Sequence, residues 1–570
     1  MPETGQNSSS EGVLSFDLTT RPWIPVLRQD GSQGELSLRE VFEQAHDLRR
    51  IVGDLPTQEF ALVRLLLAVA HDALDGPQDT DAWADLWADE NCFTPVGAYL
   101  DAHRERFDLL GADTPFFQTA GLRTAQDEVF SLNRIVADVP NGEPFFTARM
   151  PTVERLTFAE AARWVVHAHA YDTSGIKTGV EGDERVKGGK VYPLGVGWAG
   201  NLGGVFVEGR TLRETLLLNL VAADTSNLEI DEADAPAWRR EPCGPGGAER
   251  APTGVRDLYT WQTRRLRLHF DETGVHGVVL GYGDPLTARD RQHREPMTAW
   301  RRSKPQEKKL RRSPVYLPRE HAPERSAWRG IGALVATEAE KTQGPEPADY
   351  LRPGILEWVA RLVTEGELER GFLVRARIIG ARYGTQQSVI DEIVDDHVAM
   401  AVVLLHQQDR RYAEQAVAAV GDADLAVNAL GDLATNLARA AGTEADGPRS
   451  SARDLAYGLL EAPYRTWLAH LADTDDPYVQ RTVWQQQVYR MVGGLGGLGD
   501  RLMAAAGDAA WQGRIVQLKH GTGTEWFNSA LAGKWFRAAL HKGLGRPDSS
   551  DMPPDADAAP APETTVKAPA

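Results

Sequence analysis

The sequence predicts an α+β fold: an N-terminal mixed α/β globular domain followed by a C-terminal antiparallel four-helix bundle. Three observations lead there. At 570 residues the chain exceeds what one hydrophobic core usually fills, so two or more domains are expected. Residues 14–390 mix period-two and period-3.6 apolar patterns, whereas residues 391–545 carry almost only helical spacing. Both ends read as tails: 1–13 is polar, and 546–570 is rich in Pro, Ala, Asp and Ser and too poor in apolar groups to order itself.

Taken in order, residues 16–27 read as a strand interrupted by Pro22 and Pro25, which points to a sheet edge. Ser37-Leu38-Arg39-Glu40 has the form of a capping box and opens a short helix ending before Gly53. Residues 57–74 form a strong helix, with Leu62, Leu65, Leu66, Val69 and Leu74 as its stripe. A further helix covers 158–170. Leu266, Leu268 and Phe270, then Val275, Val278 and Leu280, flank Asp271-Glu272-Thr273-Gly274 as a hairpin does. Residues 375–380 are an apolar strand, and a helix is expected from Ile390 onward.

In the bundle, Val394, Val398, Ala401 and Leu405 are spaced four, three, four. Leu430, Leu433 and Leu437, then Leu455 and Leu459, then Trp484 and Val488, continue the helical spacing. Trp526, Leu531, Trp535 and Ala539 close it. Short Gly- or Asp-rich joints between such helices suit an antiparallel bundle.

Hydrophobic content of 42% and charged content of 25% are those of a soluble globular chain. No run of about 18 apolar residues and no signal-peptide pattern is seen, so a cytoplasmic protein with no membrane partner is expected. Cys92 and Cys243, far apart and outside any CxxC, exclude a disulfide framework or a thiolate zinc site.

The formal net charge of −19 argues against a protein that coats nucleic acid. Its distribution weakens that argument. Residues 261–330 hold 16 Lys+Arg against 8 Asp+Glu, about +8 in an acidic chain. Arg301, Arg302, Lys304, Lys308, Lys309, Arg311 and Arg312 fall in one run flanked by Trp300 and Tyr316. A local basic strip suits contact with a polyanion at one face, and a solvated loop is the plainer alternative.

Catalytic patterns are missing. His46-Asp47 and His71-Asp72 are seeds of a metal phosphohydrolase, but such sites need further His and Asp ligands, and Asp395-Asp396-His397 has the reverse order. The glycine run 493–499 lacks the preceding strand and the Lys-Ser/Thr of a phosphate loop, and reads as a helix-breaking joint. Val186-Lys187-Gly188-Gly189-Lys190 fails the same spacing. No GxSxG, HExxH or Cys/His nucleophile pattern exists. No catalytic residue, metal or cofactor is expected.

Three loops offer binding chemistry instead. Ser174-Gly175-Ile176-Lys177-Thr178-Gly179 lies in a Gly-rich segment reaching Gly204, where the backbone can approach a partner closely. Main-chain contact of that kind suits a DNA minor groove, whose edge code is degenerate. Tyr383-Gly384-Thr385-Gln386-Gln387-Ser388 is a tight turn whose two amides can bond to base edges or wedge between them. Pro144-Phe145-Phe146-Thr147-Ala148-Arg149-Met150 carries aromatics that serve as core or as a stacking platform. From spacing alone, ordinary surface loops remain the alternative for each.

The opening Phe16-Asp17-Leu18-Thr19-Thr20-Arg21-Pro22-Trp23-Ile24-Pro25-Val26 closely resembles that of the CasA family, the large subunit of the type I-E CRISPR Cascade complex. Leu38-Arg39-Glu40, the Leu62–Leu67 helix and Thr114-Pro115-Phe116-Phe117-Gln118-Thr119 follow in family order. So do Leu212-Arg213-x-Thr215-Leu216-Leu217-Leu218-Asn219 and the Tyr383 turn.

The resemblance implies a DNA-recognition protein of antiviral defence. Such a protein joins a guide-RNA complex, reads the short PAM in double-stranded target DNA and helps start the R-loop. Its implied PAM-reading residues are Gly175, Ile176, Lys177 and Thr178 in the glycine loop. Gln387, preceded by Gln386, is the implied wedge, and a basic finger is implied near Arg289 or Arg291. Lys177 offers a phosphate or base contact. Phe145, Phe146, Thr147, Ala148 and Arg149, through to Met150, are implied to dock near the guide RNA's 5′ end. The implied partners are target DNA, guide RNA, the other Cascade subunits and a helicase-nuclease recruited by the bundle after R-loop formation. A metal-dependent phosphohydrolase and a purely structural scaffold are the rival readings.

Overall fold

The computed structural model describes residues 14–137, 153–335, 347–369, 371–406, 410–473, 476–517 and 523–545. The chain divides into two compact units: Met1–Glu414 with Leu468–Asp473, and Gln415–Trp467 with Thr474–Ala570. The first is mixed α/β and the second is largely helical.

In the first unit, β1 (Ile24–Arg28), β2 (Gln33–Leu36) and β3 (Leu48–Ile51) form a small antiparallel sheet in the order β2-β1-β3. The edge position expected from Pro25 is therefore corrected: β1 is central. Pro25 is tolerated there because its carbonyl accepts from Val52 N just past the end of β3, where the ladder no longer needs a donor. Helix α1 (Leu38–Glu43) starts on the expected box, with Ser37 and Glu40 capping each other reciprocally.

Helix α2 (Pro56–Ala73) is buried on nearly every side and is the spine of this unit. It packs against α5 (Phe158–Tyr171), α6 (Leu212–Leu218) and α7 (Val255–Tyr259); α3 (Thr80–Ala88) packs on α6, and α4 (Thr94–Ala102) on α1 and α2. A charge inside such a core needs a partner. Arg64 of α2 supplies one, forming a bidentate pair with Glu295 at 2.9 and 2.8 Å, to which Trp198 Nε1 also donates at 2.8 Å.

Two short strands, β4 (Lys177–Thr178) and β5 (Lys190–Val191), lie in the glycine-rich segment. Strand β6 (Gly204–Glu208) follows it. The expected hairpin is present as β7 (Arg264–Asp271) and β8 (Gly274–Tyr282). Next come β9 (Trp300–Arg302), α8 (Lys304–Leu310), β10 (Tyr316–Pro318), α9 (Ile331–Val335), β11 (Tyr350–Leu351) and α10 (Gly354–Glu365).

Strands β12 (Leu373–Tyr383) and β13 (Ile390–Ala401) then form a long antiparallel hairpin, with β6 on the far side of β12. The helix expected at Val394–Leu405 is thus a strand running into a 3-10 turn at Val402–Leu405. Apolar residues four apart fit a strand's period of two as well as a helix's stripe. Ile390, Val394, Val398 and Met400 all fall on the buried side, and β12 supplies the ladder that decides it.

The second unit holds α11 (Arg411–Ala441, from Gln415 on), α12 (Asp446–Ala469, to Trp467), α13 (Pro477–Gly493), α14 (Leu498–Ala505), α15 (Gly507–Gln512) and α16 (Ser529–Leu544). A small hairpin, β14 (Arg514–Gln517) with β15 (Thr524–Phe527), interrupts the helices, so Trp526 lies on a strand and not on the last helix. The glycine run 493–499 joins α13 to α14. Two stripes are displaced from the expected phase. On α12 the buried positions are Ala452, Ala456, Leu460 and Tyr464, and Leu455 is exposed; on α16 they are Ala532, Phe536 and Leu540. On α12 the large aromatics set the phase: Tyr464, Trp467 and Trp484 cluster with ring centroids 5.4–5.9 Å apart. Trp484 Nε1 donates to Ala419 O, and Tyr464 Oη to Ala416 O, each at 2.9 Å.

Candidate nucleic-acid interface

The glycine loop is built from the end of α5. That helix begins on a capping box, Thr157 with Glu160, and the chain leaves it in extended form at Asp172. The Asp172 side chain, 9% exposed, is the loop's anchor. Its carboxylate accepts from Lys177 Nζ at 2.7 Å and from Arg264 Nε of β7. Arg264 also reaches three loop carbonyls, those of Asp172, Thr173 and Gly195, at 2.9, 3.1 and 3.1 Å. Burial by itself would raise the Asp172 carboxyl, but Lys177 and Arg264 outweigh it and hold the group below its ordinary range.

Outside this anchor the loop is open. Tyr282 Oη of β8 donates to Gly175 O at 2.7 Å, and the Gly195 amide donates to Ser174 Oγ at 3.1 Å, fixing the backbone from beneath. A Cβ placed on Gly175 meets nothing within 4 Å, whereas one on Gly197 would sit 2.3 Å from the Ala170 backbone and one on Gly200 2.2 Å from Tyr383 Oη. The glycines of this segment therefore divide. Gly197 and Gly200 exist for internal packing, and Gly175 faces free space. Ile176 beside it is 59% exposed. Thr178 Oγ1 accepts from Arg134 at 3.3 Å. The expectation that Lys177 offers a phosphate contact is not met in this conformation: its side chain turns inward and is buried on Asp172.

The glutamine turn is the tip of the β12–β13 hairpin, not a strand-to-helix joint. Gln386 and Gln387 both take left-handed backbone angles, φ 58° and 56°, a conformation that costs a non-glycine residue about 1 kcal/mol each. Gln386 is exposed and Gln387 half-buried. The turn is closed by Gln387 N donating to Gly384 O at 2.9 Å.

Loop and turn, more than 200 residues apart in sequence, meet directly: Ser174 N donates to Gln387 O at 2.7 Å. Tyr383 Oη donates to Tyr171 O at 2.7 Å and ties the hairpin to the end of α5. Between them lies a cavity of about 390 Å³, lined by Gly175, Ile176 and Lys177 on one side and Ser388, Val389 and Ile390 on the other.

The basic stretch is only partly available. Arg264, Arg265 and Arg302 are consumed by Asp172, Asp284 and Glu307, whereas Arg301, Lys304, Lys308, Lys309 and Arg311 are exposed on and around α8. Arg312 pairs with Asp290. Arg289 and Arg291 are half-buried, and Arg291 Nε reaches Thr287 O at 3.4 Å. Residues Phe145 to Met150 lie outside the described residues.

The His46 and Asp47 side chains pair with each other, at 3.2 Å on the surface, and the other carboxylates are engaged elsewhere. Asp72 accepts from Tyr99 Oη at 2.5 Å and from Arg239 and Arg256 at 2.9 and 3.2 Å. Burial, with Arg256 nearby, pushes the adjacent His71 down to about 3. Asp395 pairs with Arg377 at 2.9 Å. Among the described residues no group of three or more His, Cys, Asp or Glu could hold a metal ion, and no helix is long and apolar enough to cross a membrane.

Sequence reasoning missed Asp172, Arg264, Tyr282 and Tyr383 as the loop's supports. Their sequence signal is weak, because Arg264 opens an alternating strand that also carries Arg265 and Arg267. Arg264→Met should lower the unfolding free energy by about 3 kcal/mol, the low end for breaking a buried charge cluster because Lys177 stays on Asp172. Chemical denaturation reads this, and an unchanged midpoint would remove Arg264 as the anchor.

Comparison with known proteins assigns this mixed α/β body with its helical second unit to the CRISPR-associated proteins. Within that class the chain belongs to the CRISPR-associated protein Cse1 family, whose model matches residues 17–495. The solved structure of Thermobifida fusca Cse1 is 56% identical, covering 93% of this chain and 98% of that one with a TM-score of 0.85. CasA/Cse1 of Thermus thermophilus is 32% identical over 341 residues, 57% of this chain and 61% of that protein's length. A chain of a solved CRISPR RNA-guided surveillance complex shares the fold, with a TM-score of 0.59 at 19% identity over 93% of this chain and 99% of that one.

Proposed function

We propose that this chain is the large subunit of a type I-E Cascade complex and reads the PAM of double-stranded target DNA before guide pairing begins. The observation that carries this reading is the Ser174–Gln387 hydrogen bond, which joins the glycine loop to the glutamine turn in one surface. Exposed cations on and around α8 hold the duplex through its phosphates, with salt-dependent affinity. Gly175, Ile176 and Thr178 present the loop to the PAM minor groove, and Lys177 acts from below by fixing the loop on Asp172. Arg289 or Arg291 serves as the basic finger. Gln387, with Gln386 beside it, enters beneath the PAM and splits the first pair. Unstacking a step costs on the order of a few kcal/mol, so insertion succeeds only where PAM contacts offset that cost.

Phe145 to Arg149 dock near the guide RNA's 5′ end, and the other Cascade subunits hold the guide. The second unit, as an antiparallel four-helix bundle, meets the small subunits and helps recruit the helicase-nuclease. The reading assigns this chain no catalysis and no cofactor, and places it in the cytoplasm. It is supported by family membership and by the fold shared with a surveillance-complex chain.

The test is target-duplex binding by the guide-loaded complex, with and without this chain, on DNA differing only in PAM. Tight binding is expected only with both the chain and a correct PAM. Binding indifferent to either one would leave the chain a scaffold or a later recruiter.

A further inference from the structure

Lys187-Gly188-Gly189-Lys190, which fits no phosphate-loop pattern, folds into a defined shape. Gly188 and Gly189 take φ of 59° and 74°, and Lys187 and Lys190 exchange main-chain hydrogen bonds of 2.8 and 3.2 Å across them. Two positive-φ residues between a bonded pair make the tight turn whose twist matches its strands, and only glycine takes both positions without cost. The lysines are thereby held side by side, with Cα atoms about 5.5 Å apart as in any such bonded pair.

The hairpin continues the glycine loop. Lys190 pairs with Thr178 on its other side, and Val191 with Lys177. Side chains alternate across a strand, so Lys187, Lys190 and Thr178 form one row on one face, while Lys177 and Val191 point to the buried face. One residue past the ladder, Ile176 and Tyr192 are 59% and 64% exposed. Both lysines are exposed, and neither has an ion-pair partner among the described residues, in a chain of net charge −19. Nothing lies within 4 Å of a Cβ on Gly188 or Gly189, so the tip stands clear.

We propose that this hairpin is a second DNA contact, in which Lys187 and Lys190 hold neighbouring phosphates of the PAM duplex while Tyr192 and Ile176 pack against the sugar edge. The inference rests on the PAM-reading function and adds to it a grip indifferent to sequence. Positive charge on a tight turn positions the backbone, and the loop beside it reads the groove.

The experiment is the salt dependence of duplex binding by the guide-loaded complex carrying K187A/K190A. Each lost phosphate contact reduces the steepness of log K against log[salt] by about 1, so a slope less negative by about 2 is expected, with the same fold-loss on correct and incorrect PAM. Tyr192→Ala should weaken binding without changing the slope. An unchanged slope in a complex that still discriminates PAM overturns the hairpin's role and leaves the PAM reading intact. Failure of the unsubstituted complex to bind duplex DNA overturns both. Loss of complex assembly in the double variant, with no change in slope for the complexes that form, assigns the lysines to a protein partner and overturns the proposal.

Discussion

Replacing Gly175 with leucine is expected to abolish PAM preference while leaving the fold unchanged. The physical argument is local. Gly175 is not in the left-handed region, and its Cβ direction meets no atom within 4 Å, so a side chain there strains nothing inside the protein. It would occupy only the space that the docked groove needs. A site that loses its groove contact forfeits about 1–3 kcal/mol of discrimination per base pair read, which is roughly 5- to 150-fold in relative affinity. Competition binding with correct and incorrect PAM duplexes measures this, and retained discrimination would take the loop out of the mechanism. Gly197→Leu is the informative contrast: a Cβ there lies 2.3 Å from the Ala170 backbone, so that variant should fail at folding.

Gln387→Ala is expected to leave duplex binding largely intact and to slow R-loop formation by on the order of tenfold to a hundredfold. The structural duties of this residue belong to its main chain, through the carbonyl that receives Ser174 N and the amide that donates to Gly384. Alanine keeps both and removes only the side-chain amide. A contribution of about 1.4–2.7 kcal/mol from the wedge to opening the first pair gives the stated range of rates. The two assays are filter binding of uncut duplex and time-resolved fluorescence of a base analogue in the first target pair. Equal losses in both would sink the wedge. Gln387→Gly should reproduce the kinetic defect while relieving the positive-φ strain, so a slow R-loop with raised thermal stability would separate side-chain function from backbone cost.

Much of the site was legible as loops and almost none of it as a site. Gly175 to Thr178 and Gln386 with Gln387 stand out in the sequence because glycine and tandem amides at turns are conspicuous, and the family resemblance gave them roles. Their adjacency has no sequence signal, since it depends on α5 ending beside the β12–β13 hairpin. Lys177 shows the same limit from the other side. A lysine in a glycine loop suggests a phosphate contact, but Asp172, five residues earlier, takes its ammonium into the interior.

By itself the sequence determined the elements whose signal is local and strong. These are the capping-box start of α1, the helix α5, the apolar spine α2, the β7–β8 hairpin, the change to a helical second unit and the joint at the glycine run. Tertiary structure decided the rest. It made residues 390–401 a strand, because apolar residues four apart satisfy both periods until β12 offers a ladder. It turned the stripe of α12 toward its aromatic neighbours, shifted the phase of α16, and placed Pro25 in a central strand where its missing donor falls past the end of β3. Above all it brought Ser174 to Gln387, because local propensity acts over a few residues, whereas burying Asp172, Arg264 and Lys177 together requires segments that only the folded chain assembles.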